Sequence, residues 1–572
     1  MFDAASSSDD QAKVVGATNG HEPSSSIELP AKVEPHQARG WRFWAMFISL
    51  CITSLLSALD ATIVSTVLPS IVADIKSESL YVWALNAFFL SMTTIQPLYG
   101  QTANIFGRRW LIIAAIVLFA IGSGICGGAN STAMFIAGRV ILGAGGGGIN
   151  VMIDMVVCDL VPQRERGKYM GLVFAVFSIG TTLGPLLGGV FAQSVSWRWA
   201  FYINLPVVAV ALPLIIIFLR VNYDRETHIL RKLGRIDYVG NFLLTASVIS
   251  VLIAIISADT VHPWGSWRTI VPIVIGVLGH IAFIIHQGIP KLAPEPTVPL
   301  HLFRARSAAA AFGLTFVHGI LQYWLVYFIP LYLQSVKRYS PQYAGVAFLP
   351  SVLITIPFAI ISGGFISAAN RYRPPQLVGI GLLVIGFGIL TLLDRNSSTG
   401  EWVGYQIVSA AGAGLLLTCT LPAIQAPVEE KYVATATGTW GFLRSYGSIW
   451  GVSIPSAIFN ARVNQMLHIV QDEGIRNTLS NGAAYEHGTA KFINAIENIG
   501  IQSSVIEVYT AGLRLVWQVG IGFAGLGLIF ALLVQEIPML QQLETNEFGY
   551  EGKKGGGKND TEKAVAPADL SS

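Results

Sequence analysis

The sequence predicts an all-α polytopic membrane protein with fourteen transmembrane helices, and three observations predict it. First, its 572 residues are 53% hydrophobic and only 12% charged, with a mean hydropathy of +0.58. An average soluble domain carries about 25% charged residues. Second, apolar runs of bilayer-crossing length recur at about 43–67, 80–101, 110–128, 132–157, 168–192, 200–220, 236–258, 268–287, 309–334, 344–368, 376–393, 403–425, 434–459 and 515–535. Third, Lys and Arg alternate from loop to loop. With the N-terminus inside, the short inner loops hold sixteen basic residues, from Arg108 and Arg109 to Arg373 and Lys431. The short outer loops hold six: Lys76, Arg198, Arg268, Lys337, Arg338 and Arg395. That bias orients the chain with both termini cytosolic, and an even number of spans agrees.

Residues 1–40 are polar and rich in Ser, Pro and Glu, which reads as a disordered cytosolic tail. They contain no basic-then-apolar signal sequence, so the first span is expected to insert by itself. Between the last two spans, 460–514 is one long outer loop with room for a short amphipathic helix. The closing segment 541–572, with its basic, Gly-rich "EGKKGGGKND", is a second cytosolic tail suited to lipid headgroups. Asn130 and Asn396 begin outward sequons, Asn130-Ser131-Thr132 and Asn396-Ser397-Ser398, and are candidate glycosylation sites. Cys51, Cys126, Cys158 and Cys419 all fall in apolar runs. They have neither metal spacing nor a disulfide framework, so no metal and no cofactor is expected. A net charge of +3 gives no nucleic-acid signal. The expected partners are the lipid bilayer, protons and a small-molecule substrate, and the chain is expected to be monomeric.

Only two basic residues stay inside the spans, Arg139 and Arg444, and an intramembrane charge is a functional-site candidate because it is expensive to hold there. At 100° per residue, Arg139, Gly143, Gly147, Asn150 and Asp154 share one face of the fourth span. Ser49, Thr53, Ser57 and Asp60 share a face of the first. The thirteenth span groups Thr437, Gly441, Arg444, Ser448, Gly451 and Pro455, and the ninth groups Thr315, His318 and Gln322. Asn150, His318, Gln322, Trp324 and Arg444 are therefore read as lining a substrate cavity. Trp83, Phe88, Tyr323, Tyr327, Trp440 and Tyr446 are candidate stacking surfaces near it. Asp60 and Arg139 fall at similar depth, each about 10 Å below the outer surface, and are expected to face each other. Burial raises a carboxylate's proton affinity and a nearby arginine lowers it. Competition between the two can place a proton site in a useful range.

The fifth span, "GLVFAVFSIGTTLGPLLGG" at 171–189, is apolar but full of residues that weaken helices. Gly180, Gly184 and Gly188 lie on one face in two overlapping GxxxG steps, which let another helix approach closely. Pro185 cannot donate to the carbonyl of Thr181, and the hydroxyls of Thr181 and Thr182 are expected to satisfy freed carbonyls. The expectation is a flexible, close-packed point where this helix meets the opposite half of the protein.

The spacing Gly171-x8-Gly180-x3-Gly184-Pro185-x2-Gly188-Gly189 resembles the antiporter signature of the major facilitator superfamily. "GQTANIFGRR" (100–109) resembles that superfamily's loop between helices 2 and 3, with Gly100, Asn104, Gly107, Arg108 and Arg109 at the motif positions. "RVILGAGGGG" (139–148) is similar to its helix-4 arginine motif. "LDATIVSTVLP" (59–69) and "WRWAFYINLP" (197–206) are similar to marks of its fourteen-spanner drug:proton antiporters. The resemblance covers about 41–540. It implies a six-helix bundle (41–220), two inserted helices with linkers (221–300) and a second six-helix bundle (301–540), working by alternating access. It also implies proton coupling through Asp60 and Arg139. Two positions depart from the family pattern. Asn104 stands where an aspartate is usual, so the cytosolic latch must find its anion elsewhere, with Asp159 and Glu165 as candidates for Arg108 and Arg109. Leu142 stands where a glutamine is usual.

The sequence thus points to proton-driven efflux of small amphipathic organic compounds such as toxins, drugs or secondary metabolites, across the plasma membrane. The alternative is a siderophore or amino-acid carrier of the same fold, in a vacuolar membrane. An enzyme is not expected, because HExxH, GxSxG and facing paired aspartates are all missing from the sequence.

Overall fold

The computed structural model describes residues 40–75, 80–219, 233–258, 262–429, 432–480, 483–485 and 487–539. Both tails and Lys76, Arg220, Arg225, Arg231, Lys232 and Lys431 of the orientation argument lie outside them. So do the surroundings of the Trp83, Asn104, Pro185 and Gly189 side-chain positions.

The described chain is a succession of helices: α1 (Trp41–Ile75), α2 (Leu80–Phe106), α3 (Arg108–Gly127), α4 (Thr132–Leu160), α5 (Gln163–Ser194), α6 (Trp199–Tyr202) and α7 (Asn204–Phe218). Then come α8 (Tyr238–Ser257), α9 (Trp267–Gly288), α10 (Arg306–Ser335), α11 (Pro341–Ala369), α12 (Arg373–Leu390), α13 (Thr399–Gln425) and α14 (Val433–Met466). Two short helices, α15 (Glu473–Leu479) and α16 (Ala490–Asn494), precede α17 (Ile499–Leu533). Among the described residues, eleven helices are long and apolar enough to cross a membrane, with Trp199–Phe218 counted as one span. The other three predicted spans coincide with α2, α5 and α14, of 27, 32 and 34 residues, which carry more polar residues and glycine.

Helix starts follow local chemistry. Ser131, Asp237, Ser340 and Asn498 each accept a hydrogen bond from a backbone N–H of the first turn, and Ser398 with Glu401 forms a complete capping box, the reciprocal arrangement that satisfies two orphan donors. Gly107, between α2 and α3, has φ 81, a left-handed turn that a side chain would strain. The outer loop is shorter than 460–514. α14 continues to Met466 and α17 starts at Ile499, and the segment between holds α15 and α16. Asn130 and Asn396 are both exposed, and Asn130 Oδ1 accepts from Arg198 Nη2 at 3.2 Å.

α1 to α7 pack mainly on one another, through α1 with α5, α3 with α4, and α2 with α4. α10 to α14 and α17 form a second set, led by α10 with α14, α11 with α13 and α12 with α13. α8 and α9 pair as a hairpin beside α2. The two sets meet through α5 with α11, α2 with α14, α5 with α13 and α4 with α14.

The hairpin is fastened by a polar knot that the sequence reading missed. Asp237, which caps α8, accepts from Gln287 Nε2 at 2.6 Å and Thr297 Oγ1 at 3.3 Å, and bonds His286 Nε2 at 2.9 Å. Asn241 Nδ2 donates to Gln101 Oε1 of α2 at 2.9 Å, and Gln101 Nε2 donates to the Glu295 carbonyl at 2.7 Å. Burial pushes the Asp237 carboxyl upward. Hydrogen bonds from Gln287, His286 and the Gly240 backbone outweigh that and hold it below the ordinary carboxylate range.

Candidate functional site

α1 and α4 bring Asp60 and Arg139 together. Arg139 Nη1 donates to Asp60 Oδ2 at 3.1 Å, with both side chains fully buried. The expected pairing is present, as a direct and sealed ion pair. Asp60 Oδ1 accepts from Asn204 Nδ2 at 3.0 Å, and the same amide reaches Ser123 Oγ at 3.1 Å. The Arg139 guanidinium sits over the Phe88 ring at 4.4 Å. A buried ion pair is tolerable only when its remaining lone pairs and protons are also occupied. Asn204 occupies the second carboxylate oxygen of Asp60, and its signal was one polar amide opening the apolar run of α7.

The other polar positions of α4 part company with Arg139. Gly143 and Gly147 lie against the backbone carbonyls of Phe88 and Met92 in α2, so they serve close helix packing instead of a cavity wall. Asn150 donates to Met92 Sδ at 3.8 Å. Asp154 turns to the second helix set, where its Oδ2 lies 3.8 Å from Arg444 Nη2 of α14. Arg444 in turn sits over the rings of Trp440 (4.4 Å) and Phe174 of α5 (5.1 Å).

Other cavity candidates are placed differently. Trp324 is a core residue: it is fully buried and packs on Phe387 of α12 and Phe523 of α17, so its cavity assignment is corrected. His318 is buried and bonds the Ala413 carbonyl of α13 through Nε2 at 3.2 Å. Gln322 is half-buried, and its Oε1 has no hydrogen-bond partner among the described residues. Tyr323 and Tyr327 are half-buried and stack at 6.2 Å.

At the end bearing the basic loops, the inner end, Arg108 Nε donates to Asp159 Oδ2 at 2.6 Å. Asp159 is one of the two acids the sequence offered as candidates. The pair joins α3 to α4 within one helix set and so does not itself cross to the other. Arg109 Nη2 donates to the Ile216 carbonyl of α7 at 2.7 Å, and Glu165 stands in the first turn of α5. The crossing link belongs to a residue the sequence reading passed over. Arg166 Nη1 donates to Gln425 Oε1 of α13 at 2.6 Å, and Gln425 Nε2 bonds Thr437 Oγ1 at 2.8 Å and Cys158 Sγ at 3.2 Å. Two glycine pairs lie beside it. A Cβ on Gly100 would come within 3.2 Å of Gly438 Cα, and one on Gly167 within 3.1 Å of Gly363 Cα. The inner ends of the two sets are therefore closed on each other, backbone to backbone.

The glycine face of α5 is corrected. Gly180 and Gly184 meet α1 of their own set: a Cβ on Gly180 would lie 2.7 Å from the Leu55 carbonyl oxygen, and one on Gly184 would strike Thr62 Oγ1. The opposite set is met lower on α5, at Gly167 and at Gly171, where a Cβ would lie 3.2 Å from the Ala359 carbonyl oxygen. The same α1 contact explains how Pro185 is accommodated. The Thr181 carbonyl that Pro185 cannot serve accepts from Thr62 Oγ1 at 3.0 Å. The Thr181 and Thr182 hydroxyls instead back-bond to Phe177 and Ser178, and α5 runs unbroken.

A many-helix membrane protein whose two helix sets close at one end, with a buried ion pair in one and a cation between them, has the architecture of a carrier. Residues 50–452 match the family model of the Major Facilitator Superfamily, and the chain belongs to that family of transporters. It is 45% identical over 531 residues to the MFS-type efflux pump LUC4 of Fusarium sp, covering 92% of this chain and 94% of that one. It is 43% identical to the efflux pump FUS6 of Gibberella fujikuroi, with 94% and 96% covered. It is 42% identical to the Acurin A biosynthesis cluster MFS-type transporter of Aspergillus aculeatus, with 91% and 94% covered. Among solved structures, the human organic anion transporter MFSD10 superposes with a TM-score of 0.53 at 17% identity, over 87% of this chain and 100% of that one. The proton:xylose symporter XylE gives 0.52 at 15%, over 82% and 98%. At such identities these two show the fold alone.

Proposed function

We propose that this protein is a proton-coupled exporter of small amphipathic organic compounds such as toxins, drugs or secondary metabolites, acting as a monomer in the plasma membrane with both termini cytosolic. The reading rests chiefly on the sealed Asp60–Arg139–Asn204 cluster, together with relatives named as efflux pumps that match nearly the whole chain. Asp60 takes and releases the proton. Each change of its charge leaves Arg139 either paired or alone in low dielectric, which favours one arrangement of the helices over another. The two helix sets, residues 41–220 and 301–540, rock between access states. The closed inner end, with Arg166–Gln425 and the glycine pairs, is one of them.

Export is tested in cells lacking their own pumps, loaded with a chemically diverse panel of amphipathic compounds. Cells making the protein should retain several-fold less of at least one aromatic or polyketide-like compound than cells making Asp60→Asn. Equal retention across the panel, with the protein at the cell surface, would contradict an export function.

A further inference from the structure

The two intramembrane arginines are held in opposite ways. Arg139 and, at the inner end, Arg108 reach their carboxylates at 3.1 and 2.6 Å, short and directly bonded pairs. Arg444 does not. Its nearest carboxylate, Asp154, stands at 3.8 Å, well beyond the ~2.7–2.9 Å of a charge-assisted hydrogen bond. Among the described residues its side chain donates no hydrogen bond. It keeps 21% of its surface exposed, between the two helix sets. Five N–H donors on one planar group are thus held in position by Trp440 and Phe174 without being consumed.

The surroundings favour an acceptor ligand on a flat body. Tyr323 and Tyr327, half-buried and stacked on each other, lie on α10 and offer ring faces, with Tyr323 within electrostatic reach of Arg444. A guanidinium fork fits two coplanar oxygens, as in a carboxylate or an ionised acidic enol, better than it fits any neutral group.

Building on the export reading, we propose that Arg444 selects organic acids: the preferred substrates carry a carboxylate or acidic enolate on a flat unsaturated body, and Asp154 is their internal competitor for the guanidinium. The ligand anion and Asp154 both favour the same cation and repel each other. Removing the Asp154 charge therefore tightens acid binding, and removing Arg444 weakens it.

The test is equilibrium binding to the purified full chain with matched probes, tritiated 1-naphthylacetate and 1-pyrenebutyrate, each set against its neutral primary amide. The wild type should bind the acids about tenfold or more tightly than the amides, the scale of a hydrogen-bonded charge. Asp154→Asn should gain about tenfold for the acids, Arg444→Gln should lose that much, and Arg444→Lys should fall between, because an ammonium cannot engage both oxygens. Amide binding should move less than about threefold in each variant, a split that a purely structural strut would not produce. If Arg444→Gln does not fold, Asp154→Asn and Arg444→Lys carry the test. Acids and amides binding alike, no binding of any acid, or weaker acid binding in Asp154→Asn would each overturn the proposal. Neutral panel compounds still exported in that event would leave the export reading standing.

Discussion

Asp60→Asn is expected to abolish substrate-dependent proton movement in proteoliposomes. Loss of the carboxylate removes the proposed proton site, a fully buried side chain. The structure adds a consequence for folding. The substitution leaves Arg139 charged and without its carboxylate inside the protein, and breaking a buried pair on one side costs about 3–5 kcal/mol. The single variant should therefore be less stable as well as uncoupled. Combining Asp60→Asn with Arg139→Gln restores neutrality and should recover most of the stability while coupling stays lost. Flux at the wild-type rate in either variant would make Asp60 a packing residue only.

The second large effect separates two glycines on different helices. Gly363→Val places a side chain where the carbonyl of Gly167 already lies, across the closed inner end. The helix sets can no longer meet there, so transport should fall at least tenfold while thermal stability holds, because the clash is relieved by staying open. Gly184→Val instead strikes Thr62 and crowds the α1 backbone inside one set, where overpacking costs about 1–3 kcal/mol and where Thr62 also serves the Thr181 carbonyl. It should lower the melting temperature, with transport lost in step with folded protein. Melting curves and accessibility of a cysteine placed at the inner end distinguish the cases. A stable Gly184→Val locked in one access state would restore the hinge role the sequence suggested for that glycine.

The helices were largely legible in the sequence because lipid demands long apolar runs and a satisfied backbone, and those demands are written locally. Asp60–Arg139 was legible too, since intramembrane charges are few and must pair. Partner identity at the glycines was not. A GxxxG face announces a close neighbour without naming it, and α1 competes with the opposite set for the same face of α5. Trp324 was misread for a related reason: an aromatic on a polar-seamed helix points to a cavity or to the core according to a rotation of one residue. Gln425 and Asn204 carried only the faint signal of an amide in an apolar run. Asp159 was legible as one of two nearby acids on the same side as Arg108, and the structure bonds the two.

The central claim, export driven by protons, is tested most directly by wild-type protein in proteoliposomes under an imposed pH gradient. A substrate identified in the cell panel should accumulate uphill against the direction of proton flow. It should stop when a protonophore collapses the gradient, and each pulse of substrate should move protons the opposite way. Accumulation that survives the protonophore, or protons travelling in the same direction as substrate, would contradict the account.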